Sequence, residues 1–231
     1  MPRTTAEEYR ARLERLQSVV AAAELDVFLV SSFDSIYYLT GAGFEPLERP
    51  FFLAVYPSGS REPSLLVPRL DAEHMQEAWS GRDIRTYWDH PAPAGRRWSD
   101  VLHDLTGEAR RVGVEPSLTL NVAAALRDLA PVVAPLVEKL RLVKSPGEVA
   151  MIRRAARYAD RGVQQLLDAS YRGATVAEGF ARTGAVTRAI IREVGDWEPL
   201  TTRVLMATWA APRSAQPHSV PALGDRLGAG S

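Results

Sequence analysis

Residues 213–231 read RSAQPHSVPALGDRLGAGS, with His218 behind Pro217 and Asp225 in a Gly-Asp turn. An imidazole can move a proton near neutral pH or ligate a metal, and a carboxylate nearby can orient it. Hydrolytic chemistry needs more company than that. The other histidines, His74, His90 and His103, are scattered, and no HExxH or Cys/His cluster exists to mark a metal site. No phosphate-binding P-loop occurs, and GAGF at 41–44 lacks the third glycine of a dinucleotide loop. No GxSxG nucleophile elbow is present. The carboxylates are spread over helix faces and loops. By their types and spacing alone these residues define a globular α/β protein and no reaction.

Composition narrows the classes further. The chain has 231 residues, 46% hydrophobic and 24% charged, ordinary values for a globular protein. Formal net charge is zero, which gives no electrostatic footprint for nucleic acid or an anionic membrane. There are no cysteines, which excludes disulfides and thiolate metal sites and fits a reducing, cytoplasmic compartment. MPRTTAEEYRARLERL is charged and lacks the apolar core of a secretory leader. No apolar run is long enough to span a bilayer.

The positioning elements are well signalled. Thr5 and Glu8 make a capping-box pattern before a helix with Tyr9, Leu13, Leu16 and Val20 on one stripe. Val27–Val30 is a short apolar run, the pattern of a buried strand. FFLAVYPSG, SLLVP, DIRTYW and RRVGVE follow as strands. Helical patterns separate several of them at RLDAEHMQEAW, RRWSDVLHDLTG and TLNVAAALRDLA. Such alternation predicts an α/β layer domain with a mixed sheet flanked by helices. HPAPAGRR reads as a surface loop. Trp79, Trp88 and Trp98 read as packing anchors, as do Tyr37, Tyr38 and Leu39.

A second region begins near 139. Ser145-Pro146-Gly147-Glu148 opens a long helix, with an N-cap serine, proline at the first helical position and a reciprocal glutamate. Its apolar face is predicted to hold Val149, Ile152, Ala156, Ala159, Val163 and Leu166. Thr175 and Glu178 repeat the box before another helix, and TRVLMATWAA reads as a strand. The arginines of MIRRAARYADR read as that region's solvated face.

Four motifs in this order resemble the creatinase / Xaa-Pro aminopeptidase (aminopeptidase P) / prolidase family. YRARLERLQSVVAAAELDVFLVSSFDSIYYLTGAGF is similar to the opening of its N-terminal domain, with a Tyr38–Gly41 turn. LRLVKSPGEVAMIRRAARYADRGV resembles the junction into its catalytic domain, GATVAEG the turn into the next helix, and RSAQPHSVP the stretch bearing an active-site histidine. The resemblance implies a creatinase-type N-terminal domain over 1–138 and the first helices and strand of a pita-bread (α+β) metallopeptidase domain over 139–231. It implies that His218 occupies the active-site histidine position, supporting substrate or a tetrahedral intermediate by a hydrogen bond. In the family two divalent metals, such as Mn, Co or Zn, are held by two aspartates, a histidine and two glutamates. The resemblance places all five beyond Ser231. Asp225 lies too close to His218 to be the first of them and reads as a solvated turn residue. The expectations are therefore no cofactor in this chain and no activity by the chain alone. The implied substrate class is Xaa-Pro peptides or small amidino compounds such as creatine derivatives. A second function class stays open: a non-catalytic binding module, pairing as a homodimer or with a partner subunit.

Overall fold

The computed structural model describes residues 4–44, 47–78, 83–195, 197 and 201–228. The chain divides into two units, one over the residues up to Lys144 and one from Ser145 onward.

In the first unit the chain runs α1 (Ala6–Ala22), β1 (Val27–Val30), α2 (Phe33–Thr40), β2 (Phe52–Val55), β3 (Ser64–Pro68), α3 (Ala72–Ala78) and β4 (Asp83–Tyr87). It continues through α4 (Trp98–Thr106), β5 (Val112–Val114), α5 (Leu120–Ala125), β6 (Val132–Val133) and α6 (Leu136–Leu142). The strands form one mixed sheet in the order β4-β3-β2-β1-β5-β6. β1 pairs antiparallel to β2 and parallel to β5, with Phe28 opposite Val55 and Gly113. β3 lies antiparallel to β2 and parallel to β4.

Strand periodicity explains the two cores. Successive side chains point to opposite faces. Phe28, Val30, Leu53, Val55, Leu65 and Val67 face one layer, where they meet Leu16 and Val20 of α1, Ile36 and Leu39 of α2, Met75 of α3 and Val137 of α6. Val27, Leu29, Phe52, Ala54 and Leu66 face the other, against Leu102 and Leu105 of α4, Val122 and Leu126. A sheet covered on both faces needs strands apolar at every position, hence the uninterrupted VFLV and FLAV. Gly113 is required where β5 passes β1, since a Cβ there would lie 2.6 Å from Leu25 Cδ1 and 2.7 Å from Phe28 Cδ2.

Two local features differ from the sequence expectation. The Tyr38–Gly41 stretch is no free turn but the end of α2, with Gly41 as left-handed cap (φ 75°). Ser32 caps that helix's start by accepting from Ser35 N–H, and buried Arg12 donates to the Tyr38 carbonyl at 2.7 Å. β6 was hidden because it is two residues long, flanked by prolines and exposed. α6 buries Leu136 and Val137 in the first unit's core, ahead of the division after Lys144. Trp98 stacks on Phe52 at 6.0 Å, Trp88 is 41% exposed beneath the Arg69 guanidinium, and Trp79 lies outside the described residues.

The second unit contains α7 (Pro146–Tyr171), α8 (Val176–Val194) and an irregular stretch over 201–228. Both capping boxes form: Ser145 with Glu148 and Thr175 with Glu178. The Thr175 backbone N–H and hydroxyl donate to the Glu178 carboxylate and lower its carboxyl below the ordinary value. Two small clusters give cover: Val176, Ala210 and Leu227, and Val186, Ile190 and Met206 with Tyr158 and Leu166 packed against the second. The predicted inward face of α7 is corrected. Gly162 and Ala169 are buried, whereas Ile152 and Val163 are 54% and 56% exposed. Met206 decides this rotation by packing over the bare Gly162, its sulfur 3.4 Å from where a Cβ would stand. The predicted strand at TRVLMATWAA is also corrected: residues 202–210 form no ladder, as no neighbouring strand among the described residues pairs with them.

Candidate functional site

The site is built from the turn that carries His218. The N-terminus of α8 exposes backbone N–H groups that need acceptors. The later segment supplies them: the Asp225 carbonyl accepts from Val176 N–H at 2.9 Å and the Leu223 carbonyl from Ala177 N–H at 3.0 Å. Leu227 N–H returns a bond to the Ala174 carbonyl at 2.7 Å, beside a bridge between Thr175 and Arg226. These bonds fix one end of the loop. The other end is fixed by Trp209, whose indole N–H donates to the Ser219 carbonyl at 2.8 Å. The Ser219 hydroxyl in turn donates to the Arg213 carbonyl at 2.9 Å.

His218 stands between those anchors, exposed, with a left-handed backbone (φ 56°). Histidine is among the residues that enter this region more readily than most, and here the Trp209–Ser219 bond holds the neighbouring residue in place. Asp225 lies in the turn that follows, its carboxylate 3.3 Å from Arg213 Nε. It spends its charge on that arginine and its carbonyl on α8, the behaviour of a turn residue. The remaining histidines lie in the first unit: His74 Nε2 is 2.7 Å from the Gly43 carbonyl, and His103 belongs to α4.

Such a site can offer one imidazole as hydrogen-bond donor or acceptor to a bound group. Divalent metals at hydrolytic sites take several oxygen and nitrogen donors converging on one point. Among the described residues no group of three or more His, Cys, Asp or Glu side chains could hold a metal ion. Trp209 and Arg213 support the turn without having been singled out by sequence. Their contacts span ten and twelve residues, with no periodicity to reveal them.

The family model of the Creatinase/Prolidase N-terminal domain matches residues 12–143, more than half of the chain. The chain belongs to this family. Among curated proteins, this creatinase/prolidase chain is similar to an Xaa-Pro dipeptidase of Lactobacillus delbrueckii subsp. lactis, 27% identical over 227 residues, covering 91% of this chain and 57% of the relative. It is also similar to the putative dipeptidase YkvY of Bacillus subtilis, 24% identical over 216 residues with the same shares. Among solved structures, the dipeptidase PepE of Mycobacterium ulcerans shares the fold with a TM-score of 0.72 at 23% identity, over 98% of this chain and 59% of that one. The Xaa-Pro dipeptidase of Bacillus anthracis does so with a TM-score of 0.67 at 19% identity, over 95% and 58%. The chain thus spans somewhat more than half the length of these relatives. No helix among the described residues is long and apolar enough to cross a membrane.

Proposed function

We propose that these residues form the N-terminal half of an Xaa-Pro dipeptidase-type protein and do not hydrolyse such dipeptides by themselves. The observation that carries this is the reach of the likeness. It does not stop with the first unit: the Lactobacillus dipeptidase matches 91% of the chain, a share that takes in much of the second unit as well. His218 takes the role of an imidazole that steadies a bound peptide or the oxyanion formed from it. On this reading the family's two divalent metals take their donors from other residues. Xaa-Pro dipeptides are the first substrate class to test and small amidino compounds the second, in a cytoplasmic setting.

The test is an assay of the purified chain with Gly-Pro and manganese, cobalt or zinc. No turnover is expected. Chelator-sensitive turnover that persists through repurification overturns the proposal. Mixing the chain with a separately expressed C-terminal half of the Lactobacillus dipeptidase supplies the positive arm. Restored turnover that falls when His218→Ala replaces the native chain supports the assigned role.

A partner-binding role is the second reading, and one observation favours it. Ile152, Val163 and Leu167 of α7 are 54%, 56% and 45% exposed, an apolar face of the kind that protein contacts cover. Light scattering across a concentration series separates a monomer from a homodimer or higher assembly.

A further inference from the structure

We propose that a groove in the first unit, walled by β4, α4 and the loop between them, binds a small organic molecule through a carboxylate or phosphate group. The groove has a volume of about 350 Å³, within the range of small-molecule sites. Arg61, Arg85 and Arg96 line it, with Thr86, Gly95 and Asp104.

These arginines come from separate segments and are placed by different means. Arg85 is in the edge strand β4, with Nε 2.7 Å from Asp83 Oδ1. Arg61 lies over the Tyr56 ring at 4.8 Å and reaches the same carboxylate at 3.5 Å. Arg96 is carried by the loop, whose course is set by backbone bonds. Trp88 N–H donates to the Arg96 carbonyl at 2.8 Å, and Arg96 N–H to the Pro93 carbonyl at 3.1 Å. Its own guanidinium makes no ion pair among the described residues.

Charge and donors are out of balance here. Each guanidinium carries five N–H donors and no acceptor. Among the described residues Asp83 is the only carboxylate that pairs with these arginines, and it also accepts from the Ser64 hydroxyl at 2.5 Å. Those partners hold its carboxyl below the usual range against the opposing effect of burial. Most of the N–H donors of Arg61 and Arg85, and the whole of Arg96, therefore face the groove or solvent. Arginine forks match planar carboxylates and phosphates in paired hydrogen bonds. Asp104, on the α4 wall, suits a hydroxyl or ammonium on the same ligand. This site uses nothing of the His218 turn and stands or falls independently of the dipeptidase reading.

The test is an amide NMR titration of the full chain with inorganic phosphate, and separately with acetate, at constant ionic strength in chloride. Saturable shifts at Thr86, Gly95 and Arg96 are expected, and the arm that saturates at lower concentration identifies the oxyanion. Arg96→Gln, at an exposed side chain with no ion pair among the described residues, is expected to weaken binding about tenfold, the equivalent of one charge-assisted hydrogen bond. Arg153→Gln, an equal charge change on the exposed side of α7, is expected to leave binding unaltered. Absence of saturable shifts in both arms overturns the proposal. So does wild-type affinity in Arg96→Gln, or an equal loss in Arg153→Gln.

Discussion

The Glu115 carboxylate accepts the backbone N–H groups of Ser31 and Ser32 at 2.7 and 2.8 Å, joining the end of β5 to the entry of α2 across 84 and 83 residues. Glu115 is 1% exposed, so these bonds replace water for a buried charge. Without the carboxylate, two N–H groups at the start of α2 lose their acceptor in a closed site. Glu115→Ala is expected to cost roughly 3 kcal/mol, and Glu115→Gln, which keeps one acceptor oxygen, about half of that. Urea unfolding of the two variants checks the order. Equal losses would mean that volume, and not the charged acceptor, matters there.

A second long-range carboxylate predicts a pH effect. Asp26 Oδ2 accepts from Arg110 and Arg111 N–H at 2.8 and 2.9 Å. These bonds, the Arg111 one first, lower its carboxyl below the ordinary 3.8. A carboxyl lowered by folding adds stability above its unfolded value and loses it as pH falls through the folded one. The contribution is thus present at neutral pH and disappears below about pH 4. Asp26→Ala is expected to flatten the stability–pH curve in that acid window. An unchanged slope there would remove Asp26 from the account of acid unfolding.

Gly41 predicts a packing and backbone cost together. Its φ is +75°, and an added Cβ would stand 2.7 Å from Tyr9 Cζ. Gly59 has φ +80° with nothing within 4 Å of its added Cβ. Gly59→Ala therefore isolates the left-handed penalty, about 1–2 kcal/mol, while Gly41→Ala adds roughly 1–3 kcal/mol of overpacking. Calorimetry on both variants gives the difference. A Gly41→Ala protein as stable as Gly59→Ala would show that the Tyr9 ring moves aside freely.

Legibility followed the range of the interactions. The apolar runs at Val27–Val30 and Phe52–Val55 announced buried strands because burial on both faces leaves its mark on every residue. The boxes at Ser145 and Thr175 were readable because a cap acts within three residues. What failed needed distant partners. Apolar spacing on α7 allowed more than one inward face, and Met206 over Gly162 selected a face that leaves Ile152 and Val163 outside. TRVLMATWAA has strand-like residues, but a strand exists only where another offers a ladder. The same limit holds at the sites. Trp209 and Arg213, which anchor the turn carrying His218, left no local signal, and the arginines of the groove come from segments up to 35 positions apart, from Arg61 to Arg96.

The two units are expected to differ in protection. Side chains from β1, β2 and β3 enter clusters on both faces of the sheet, and Phe28, Leu29, Leu53 and Leu66 are 0% exposed. Among the described residues from 145 onward two small clusters give cover, and 202–210 pair in no ladder. Burying an aliphatic side chain fully stabilises by about 1.5–3 kcal/mol, so exposure of Ile152, Val163 and Leu167 forgoes a large part of what α7 could contribute. Local opening follows local cover. In hydrogen exchange by mass spectrometry, peptides from 202–210 should exchange first, α7 and α8 next, and β1–β3 last. If α7 pairs with a second copy, its protection should rise with protein concentration while that of β1–β3 stays constant. Uniformly slow exchange across both units in a dilute monomer would show that residues 145–228 possess a complete core, and this expectation would be wrong.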